Sequence, residues 1–171
     1  MDELFDAVLF DRDGTLIEDV PYNGDPSRVT PMPGAQEVLR TLRARGLRTG
    51  VVSNQSGIGR GFVTEAQVAS VNARVEELLG PFGTWQICPH HPDDACPYRK
   101  PAPGMVLAAC EALDVSPART MFVGDIGADV EAAQAAGAVP VLVPTPVTRA
   151  EEVERAPRTA RDLLSLIEMI R

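Results

Sequence analysis

The hydrophobic positions of this chain fall into short continuous runs that alternate with longer amphipathic segments. The runs predict five strands, at 7–10, 48–53, 85–88, 120–123 and 139–143. The amphipathic segments predict helices at about 34–46, 64–79, 103–113, 129–136 and 158–170. Because the strands are apolar throughout rather than alternately polar, we expect a mainly parallel five-stranded sheet with helices on both faces, a doubly wound three-layer α/β/α sandwich.

Two of the predicted helices carry additional signals. Thr64 and Gln67 have the spacing of a capping box, which predicts that the second helix begins there. In the closing segment, four apolar side chains share one helical stripe and are expected to pack on the core. They are Leu163, Leu164, Ile167 and Ile170.

Length and composition are those of an ordinary globular protein. The 171 residues fit one domain, 1–171, with a loop insert at about 88–100. The net charge of −8 argues against nucleic acid or an anionic membrane as partner. Three cysteines, no recognisable signal peptide and no apolar run of membrane-spanning length predict a cytoplasmic protein without a membrane span. We expect it to be a monomer.

Polar and acidic side chains follow three of the predicted strands. They are Asp11, Asp13, Ser53, Asn54, Gln55, Asp125 and Asp129. The loop before the 103–113 helix adds Arg99 and Lys100. Ligands of doubly wound proteins bind beyond the carboxyl ends of the strands, where the strand order reverses. We therefore expect these side chains to form one site.

The acidic cluster predicts a magnesium site. Carboxylates brought together repel one another, and Mg²⁺, which prefers oxygen ligands, relieves that repulsion. Asp11 and Asp125 are expected to bind Mg²⁺ through their side chains and Asp13 through its backbone carbonyl. Lys100, the Ser53 hydroxyl and the Asn54 backbone N–H could then hold the non-bridging oxygens of a phosphoryl group.

Two aspartates one residue apart suit a two-step phosphoryl transfer. Asp11, held beside the phosphate, can attack phosphorus and form an aspartyl phosphate. Asp13 points elsewhere and can protonate the leaving oxygen, then take a proton from water. A signalling receiver module, the alternative from another class, also phosphorylates an aspartate. It has no use for an acid two residues further on.

Four segments resemble the signatures of the haloacid dehalogenase (HAD) superfamily of phosphotransferases. They are DRDGT (11–15), SNQSG (53–57), RKPAPGM (99–105) and VGDIGAD (123–129). The resemblance implies that Asp11 is the nucleophile, Asp13 the acid and base, and Ser53 the phosphate binder. It implies that Lys100 neutralises charge and Asp125 binds magnesium. Asp129 would orient Lys100 or a metal-bound water, or simply cap its helix. The intervals between signatures leave no room for a cap domain.

Within the capless branch, the chain resembles the heptose 1,7-bisphosphate phosphatases and the histidinol-phosphate phosphatases. SNQSGIGRG and CPHHPDDACPYRKP carry this resemblance, which implies substrate contacts for Gln55, Arg60 and Arg99. Two arginines able to grip a second anionic group favour a sugar bisphosphate. Histidinol phosphate, or another small phosphate ester, is the alternative.

The resemblance also implies a structural zinc ion, bound by three cysteines and one histidine. Cys88, His90 and Cys96 match three of these ligands, but Tyr98 stands at the fourth position. A phenol is a poor zinc ligand, and structural zinc needs four good ones. The sequence therefore leaves open whether zinc binds here or whether prolines alone stiffen the loop.

Overall fold

A computed structural model describes residues 4–170. Five strands form one sheet in the order β3-β2-β1-β4-β5, and every neighbouring pair is parallel. The strands are β1 (Ala7–Phe10), β2 (Arg48–Asn54), β3 (Thr84–Cys88), β4 (Thr120–Gly124) and β5 (Val139–Leu142). The predicted strands and the parallel sheet are confirmed.

Helices cover both faces of the sheet. They are α1 (Ala35–Ala44), α2 (Glu65–Leu79), α3 (Gly104–Leu113), α4 (Gly127–Ala136), α5 (Ala150–Arg155) and α6 (Leu166–Met169), with short 3-10 helices at Pro26–Arg28 and Pro117–Arg119. One core cluster joins α1, α2 and α6 to the sheet, and a second joins α3 and α4 to the opposite face. The three-layer sandwich is confirmed, and the Thr64–Gln67 capping box is present at the start of α2.

The strand order places a switch point between β1 and β4. The chain builds β1, β2 and β3 outward on one side and then returns to pair β4 with the other edge of β1. Phe10 is in register with Val123, and the Asp11 N–H donates to the Val123 carbonyl at 2.9 Å. The residues that follow β1 and β4 therefore lie side by side, which is the usual position of a ligand site in this architecture.

The predicted closing helix at 158–170 is wrong for most of its length. The Leu142 N–H donates to the Arg158 carbonyl at 3.0 Å, and the Ala160 N–H donates to the Leu142 carbonyl at 2.9 Å. This segment thus pairs with β5, an edge strand whose backbone groups would otherwise lack partners. The Asp162 carboxylate then accepts from the Ser165 N–H at 2.9 Å, a local turn that competes with helix.

Only Leu166–Met169 of that segment is helical. The predicted stripe is therefore broken: Leu163 and Ile170 are buried, whereas Leu164 is 40% exposed. The short helix α5 was not predicted, since its six residues carry no apolar stripe long enough to detect.

No cap domain interrupts the described residues 4–170. Between Asp11 and Ser53 lie a loop, α1 and β2, and between Ser53 and Lys100 lie a loop, α2, β3 and a second loop. The 18–33 loop folds back on itself, because the Glu18 N–H donates to the Thr30 carbonyl at 2.8 Å. Across the same described part, none of the helices has both the length and the apolar composition that a membrane span requires.

Candidate active site

A cavity of about 320 Å³ opens at the carboxyl ends of β1, β2 and β4. Six of the predicted site residues line it: Asp11, Asp13, Asn54, Gln55, Lys100 and Asp125. They come from four separate segments of the chain. The parallel sheet brings the segments together because all its strands end at the same edge.

Lys100 lies at the centre of this group. Its ammonium donates to Asp129 Oδ1 at 2.6 Å and to the Val52 carbonyl at 3.1 Å, and it lies 3.0 Å from Asp11 Oδ1. Burial alone would lower the pKa of this amine, but the two carboxylates outweigh burial and raise the pKa. The ammonium is therefore charged at all physiological pH values and held rigidly by three acceptors.

Lys100 is also the only lysine in the chain, beside fifteen arginines. An ammonium is a compact point charge with three donors, whereas a guanidinium is a planar fork. Three acceptors around a single nitrogen match the ammonium. The presence of a single lysine among many arginines thus pointed to this residue independently of the sequence motifs.

The carboxylates at the cavity floor carry more negative charge than the neighbouring cations neutralise. Carboxylate oxygens of Asp11, Asp125 and Asp129 lie within 4.8 Å of one another. Burial, followed by repulsion from Asp129, raises the pKa of Asp11 well above its ordinary value, with Lys100 opposing the rise. Burial, again followed by Asp129, raises the pKa of Asp125 to about 6.

A charge count shows what this site is suited to bind. Four aspartates face two cationic side chains, which leaves an excess of two negative charges when every carboxylate is ionised. The groups in the count are Asp11, Asp13, Asp125, Asp129, Arg12 and Lys100. One divalent cation balances that excess, and oxygen donors are what Mg²⁺ prefers. The residues present therefore fit a magnesium ion.

Asp129 has little capacity left for a direct metal bond. Its Oδ1 accepts from Lys100, and its Oδ2 accepts from the backbone N–H groups of Asp125 at 3.1 Å and Ile126 at 3.3 Å. It is 1% exposed. Its side chain therefore caps the start of α4 and contacts Lys100 at the same time. The predicted contact with Lys100 and the predicted helix cap are both present.

The turn after β1 is shaped to fit Asp125. Gly14 has φ +80°, and a Cβ built there would lie 2.3 Å from Asp125 Oδ2. Only glycine satisfies both the left-handed backbone and the close approach. The Thr15 hydroxyl donates to Asp125 Oδ1 at 3.4 Å, and the Thr148 hydroxyl donates to the Asp125 carbonyl at 2.8 Å. The two threonine contacts with Asp125 were not anticipated from the sequence.

The second strand end supplies a hydroxyl and an amide. Ser53 is 1% exposed and is not among the residues that line the cavity, and its hydroxyl accepts from Gln55 Nε2 at 2.7 Å. The Asn54 side chain bonds both backbone groups of Lys100: Oδ1 accepts from its N–H at 3.0 Å, and Nδ2 donates to its carbonyl at 3.1 Å. Sequence reasoning gave Asn54 only a backbone role and missed this clamp.

The two predicted substrate arginines are not among the residues that line the cavity. Arg60 is exposed on the loop that follows Gly57. Arg99 is half-buried beside a separate pocket with Pro97 and Cys96, and its Nη1 has no hydrogen-bond partner in the described part of the chain. The structure therefore brings Gln55 to the cavity but neither arginine.

The 18–33 loop contributes residues that the sequence did not identify. Asp19, Pro21 and Tyr22 line the cavity. Burial, followed by repulsion from Asp13, raises the pKa of Asp19. The Tyr22 ring lies 4.8 Å from the Phe62 ring, and both side chains are about half exposed or more. This loop therefore forms part of the cavity wall.

Cys88, His90 and Cys96 come together at the end of β3. The two sulfurs are 3.9 Å apart, and His90 Nδ1 lies 3.6 Å from Cys88 Sγ and 3.2 Å from Cys96 Sγ. A tetrahedral zinc ion with ordinary bond lengths separates two thiolates by about 3.8 Å and a thiolate from an imidazole nitrogen by about 3.6 Å. The three groups fit zinc. His91 does not complete the set, since its Nδ1 accepts from the Asp93 N–H at 3.1 Å.

The fold and the cavity define a class of protein: a doubly wound α/β protein with a cluster of carboxylates and one lysine at its switch point. Phosphoryl transfer to an aspartate requires such a cluster. A family model for haloacid dehalogenase-like hydrolases matches residues 22–137. The chain belongs to this family. The resemblance drawn from the four sequence signatures is thereby confirmed.

Several relatives match over most of their length. The D-glycero-beta-D-manno-heptose-1,7-bisphosphate 7-phosphatase of Pseudomonas putida is 38% identical over 143 residues, 81% of this chain and 82% of the relative. The protein of that name from Escherichia coli K12 is 35% identical over 162 residues, 88% and 85%. A crystal structure of D,D-heptose 1,7-bisphosphate phosphatase from B. bronchiseptica, complexed with magnesium and phosphate, matches with TM-score 0.83 and 29% identity over 98% and 97%.

Magnesium is expected to stabilise the protein more at pH 8 than at pH 5. The folded state raises the pKa of Asp125 from the ordinary 3.8 to about 6. The stability that protonated Asp125 contributes is therefore fully present below pH 3.8 and is lost as the pH rises through 6. Mg²⁺ binds the ionised carboxylates and so competes with protons. Thermal unfolding with and without Mg²⁺ at both pH values checks this; an equal or larger shift at pH 5 would contradict it.

Proposed function

We propose that the chain is a Mg²⁺-dependent phosphomonoesterase that removes the 7-phosphate from D-glycero-β-D-manno-heptose 1,7-bisphosphate. The observation that carries this proposal is the Lys100 ammonium, 3.0 Å from Asp11 in a cavity that Asp125 also lines. The names of the relatives supply the sugar, the anomer and the phosphate position.

Asp11 and Asp125 would hold Mg²⁺ through their side chains and Asp13 through its backbone carbonyl. When bound, the ion would neutralise charge on the phosphoryl oxygens and align phosphorus with the Asp11 carboxylate. Asp129 would keep Lys100 in place, because its remaining oxygen is already used by backbone N–H groups. Burial, followed by repulsion from Asp129, raises the pKa values of Asp11 and Asp125, and a bound cation would oppose both effects by favouring the ionised carboxylates, which supports this assignment.

The first chemical step would transfer the phosphoryl group to Asp11. A carboxylate oxygen of Asp11 bonds to phosphorus as the bond to the sugar oxygen breaks, and Asp13 donates its proton to that oxygen. Lys100 and the Ser53 hydroxyl would bind the non-bridging oxygens, together with the Asn54 backbone N–H. The side-chain clamp of Asn54 on Lys100 supports this arrangement by fixing the lysine backbone.

The second step would release phosphate and regenerate the enzyme. Asp13, now ionised, takes a proton from water as the water oxygen bonds to phosphorus and the bond to Asp11 breaks. Asp13 lines the cavity with its side chain 26% exposed, so water can reach it. A receiver module needs neither proton transfer, and this position of Asp13 favours the hydrolase.

An open cavity without a cap suits a substrate that extends beyond the reacting phosphate. Gln55 lies at the cavity, and Arg60 is exposed on the adjoining loop, where it would meet the phosphate that is not cleaved. Arg99 would need to turn from its half-buried position to assist. Histidinol phosphate, or another small phosphate ester, remains the second candidate because the same sequence segments occur in both groups.

A panel of phosphate esters tests the substrate. We expect the highest kcat/KM for the β-anomer of the heptose 1,7-bisphosphate, with inorganic phosphate and the 1-monophosphate as products. The panel includes the α-anomer, histidinol phosphate and p-nitrophenyl phosphate. Equal kcat/KM values across the panel would contradict the heptose assignment, and a preference for histidinol phosphate would replace it.

We also propose that Cys88, His90 and Cys96 bind zinc, with a water molecule as the fourth ligand. The three interatomic distances support this, whereas Tyr98 is 50% exposed. Zinc here would hold the 88–100 loop against the end of β3. The Gly59 N–H, which donates to the Pro89 carbonyl at 2.9 Å, joins the same loop to the loop after β2. Without zinc, Pro89, Pro92 and Pro97 would have to stiffen the loop alone.

Protein purified without chelators is expected to contain about one zinc per chain. The Cys96→Ser variant should lose most of it, since an open site with two good ligands binds zinc poorly. Elemental analysis of both proteins measures this, with Cys110→Ser as the matched control because Cys110 is buried but does not belong to the group of possible zinc ligands. A zinc content well below about 0.1 ion per chain in the parent protein would contradict the proposal.

The expected partner is a small phosphorylated sugar rather than nucleic acid or a membrane. The net charge of −8 supports this. All three cysteines lack disulfide bonds, which supports a cytoplasmic location. We propose that the enzyme acts there as a monomer.

A further inference from the structure

A buried arginine lies between the two aspartates of the first signature. Arg12 is 2% exposed, and its side chain is the largest of those that are fully buried in the described residues. Burying a guanidinium costs free energy unless its donors are paired. The proposed phosphoryl transfer does not use this guanidinium directly.

The Arg12 guanidinium is engaged on two sides. On one side Nη2 donates to Asp13 Oδ2 at 3.0 Å and Nε donates to the same carboxylate at 3.2 Å, the forked geometry that arginine makes with carboxylates. On the other side Nη1 donates to Asn72 Oδ1, in the middle of α2, at 2.8 Å. A rigid helix thus anchors one end of the fork while the other end holds Asp13.

Gln55 extends the same network to the phosphate-binding strand end. Its Oε1 accepts from Arg12 Nη2 at 3.1 Å, and its Nε2 donates to Asp13 at 2.9 Å and to the Ser53 hydroxyl at 2.7 Å. Arg12 therefore fixes Asp13 directly and, through the Gln55 amide, fixes it relative to Ser53.

We propose that Arg12, anchored by Asn72, is the positioning residue that sets where Asp13 delivers its proton. The inference rests on the proposed function, in which Asp13 is the acid and base. A carboxylate on a short side chain at the edge of a cavity can adopt several rotamers. Proton transfer requires the rotamer that places the carboxylate within hydrogen-bond distance of the leaving oxygen. The fork and the Gln55 bond select one rotamer while leaving Asp13 accessible to the cavity.

The alternative is that Arg12 merely ties α2 to the sheet. That role predicts a loss of stability, or an equal loss of activity on every substrate. A positioning role predicts a loss that depends on the leaving group. An alkoxide needs a proton as it leaves, whereas p-nitrophenolate leaves readily without one, so misplacing Asp13 harms alkyl phosphates far more than aryl phosphates.

The experiment compares kcat/KM for p-nitrophenyl phosphate with kcat/KM for the alkyl phosphate that the parent protein hydrolyses fastest. Arg12→Lys keeps the charge but removes the fork, and Asn72→Ala leaves Arg12 in place but removes its anchor. Asp13→Asn serves as the reference for loss of the acid. Arg74→Lys, an exposed substitution on the same helix, is the matched control.

We expect Arg12→Lys to lower the alkyl-to-aryl ratio of kcat/KM by at least about tenfold, which is part of the 10²- to 10⁴-fold that a well-placed general acid supplies. Asn72→Ala should lower it by about threefold, and Arg74→Lys should leave it unchanged. An unchanged ratio in both Arg12→Lys and Asn72→Ala overturns the inference. If Arg12→Lys does not fold, Asn72→Ala decides alone.

The reference variant separates this inference from the function on which it rests. If Asp13→Asn lowers the ratio strongly but the Arg12 and Asn72 variants do not, only the positioning role fails. If Asp13→Asn leaves the ratio unchanged, Asp13 is not the acid and the proposed mechanism itself fails.

Discussion

Replacing Asp11 with Asn is expected to lower kcat/KM by at least about 10⁴-fold, because an amide is a poor nucleophile toward phosphorus and a weaker magnesium ligand than a carboxylate. The protein should nevertheless fold. Without metal, burial and Asp129 already disfavour a charge on Asp11, as its raised pKa shows, so a neutral isostere removes an unfavourable charge. We therefore expect the melting temperature of the metal-free variant to equal or exceed that of the parent.

Turnover of p-nitrophenyl phosphate with saturating Mg²⁺ measures the first effect, and thermal unfolding measures the second. Asp114→Asn is the matched control, since it makes the same chemical change at an exposed position whose left-handed backbone, φ 54°, asparagine also tolerates. Asp11→Asn with activity within tenfold of the parent would show that Asp11 does not attack phosphorus.

Replacing Lys100 is expected to have the second largest effect. Lys100→Met leaves Asp11 and Asp129 buried without their shared cation, and breaking a buried ion pair by removing one partner costs about 3–5 kcal/mol. Lys100→Arg keeps the charge, but a planar guanidinium cannot meet three acceptors arranged around one nitrogen. We expect both variants to lose about 10³-fold in kcat/KM, the scale of losing one electrostatic donor at a reacting group.

The double variant Lys100→Met, Asp129→Asn separates stability from catalysis. It removes a buried charge from each side, so the free energy of unfolding in urea should return toward that of the parent. The kcat/KM should remain as low as in Lys100→Met. Parent-like kcat/KM in Lys100→Arg would contradict a requirement for a compact ammonium, and recovery of activity in the double variant would assign Lys100 a purely structural role.

The strands and the site residues beside them could be predicted because each depends on a local pattern. A continuous apolar run such as 7–10 needs only burial on both faces to be a strand. Asp11 and Asp125 follow such runs directly, and the topology then brings them together. The glycine at position 14 follows from the same arrangement, since its positive φ and its close approach to Asp125 both exclude a side chain.

The features that were missed depend on partners distant in the chain. Residues 158–160 look helical, but an edge strand offers their backbone better partners. Arg12 reads as an ordinary charge between two aspartates, and only the position of Asn72 on α2 shows that it is buried and anchored. The Asn54 clamp likewise requires Lys100 to lie beside β2, which the sequence does not state.

A crystal structure with Mg²⁺ and beryllofluoride, which mimics a phosphoryl group on aspartate, tests the central claim most directly. The account predicts beryllium bonded to a carboxylate oxygen of Asp11, the metal in contact with Asp11 and Asp125 at about 2.0–2.1 Å, and the Lys100 ammonium within hydrogen-bond distance of a fluoride. Beryllofluoride on another residue, or a magnesium ion that Asp11 and Asp125 do not share, would contradict it.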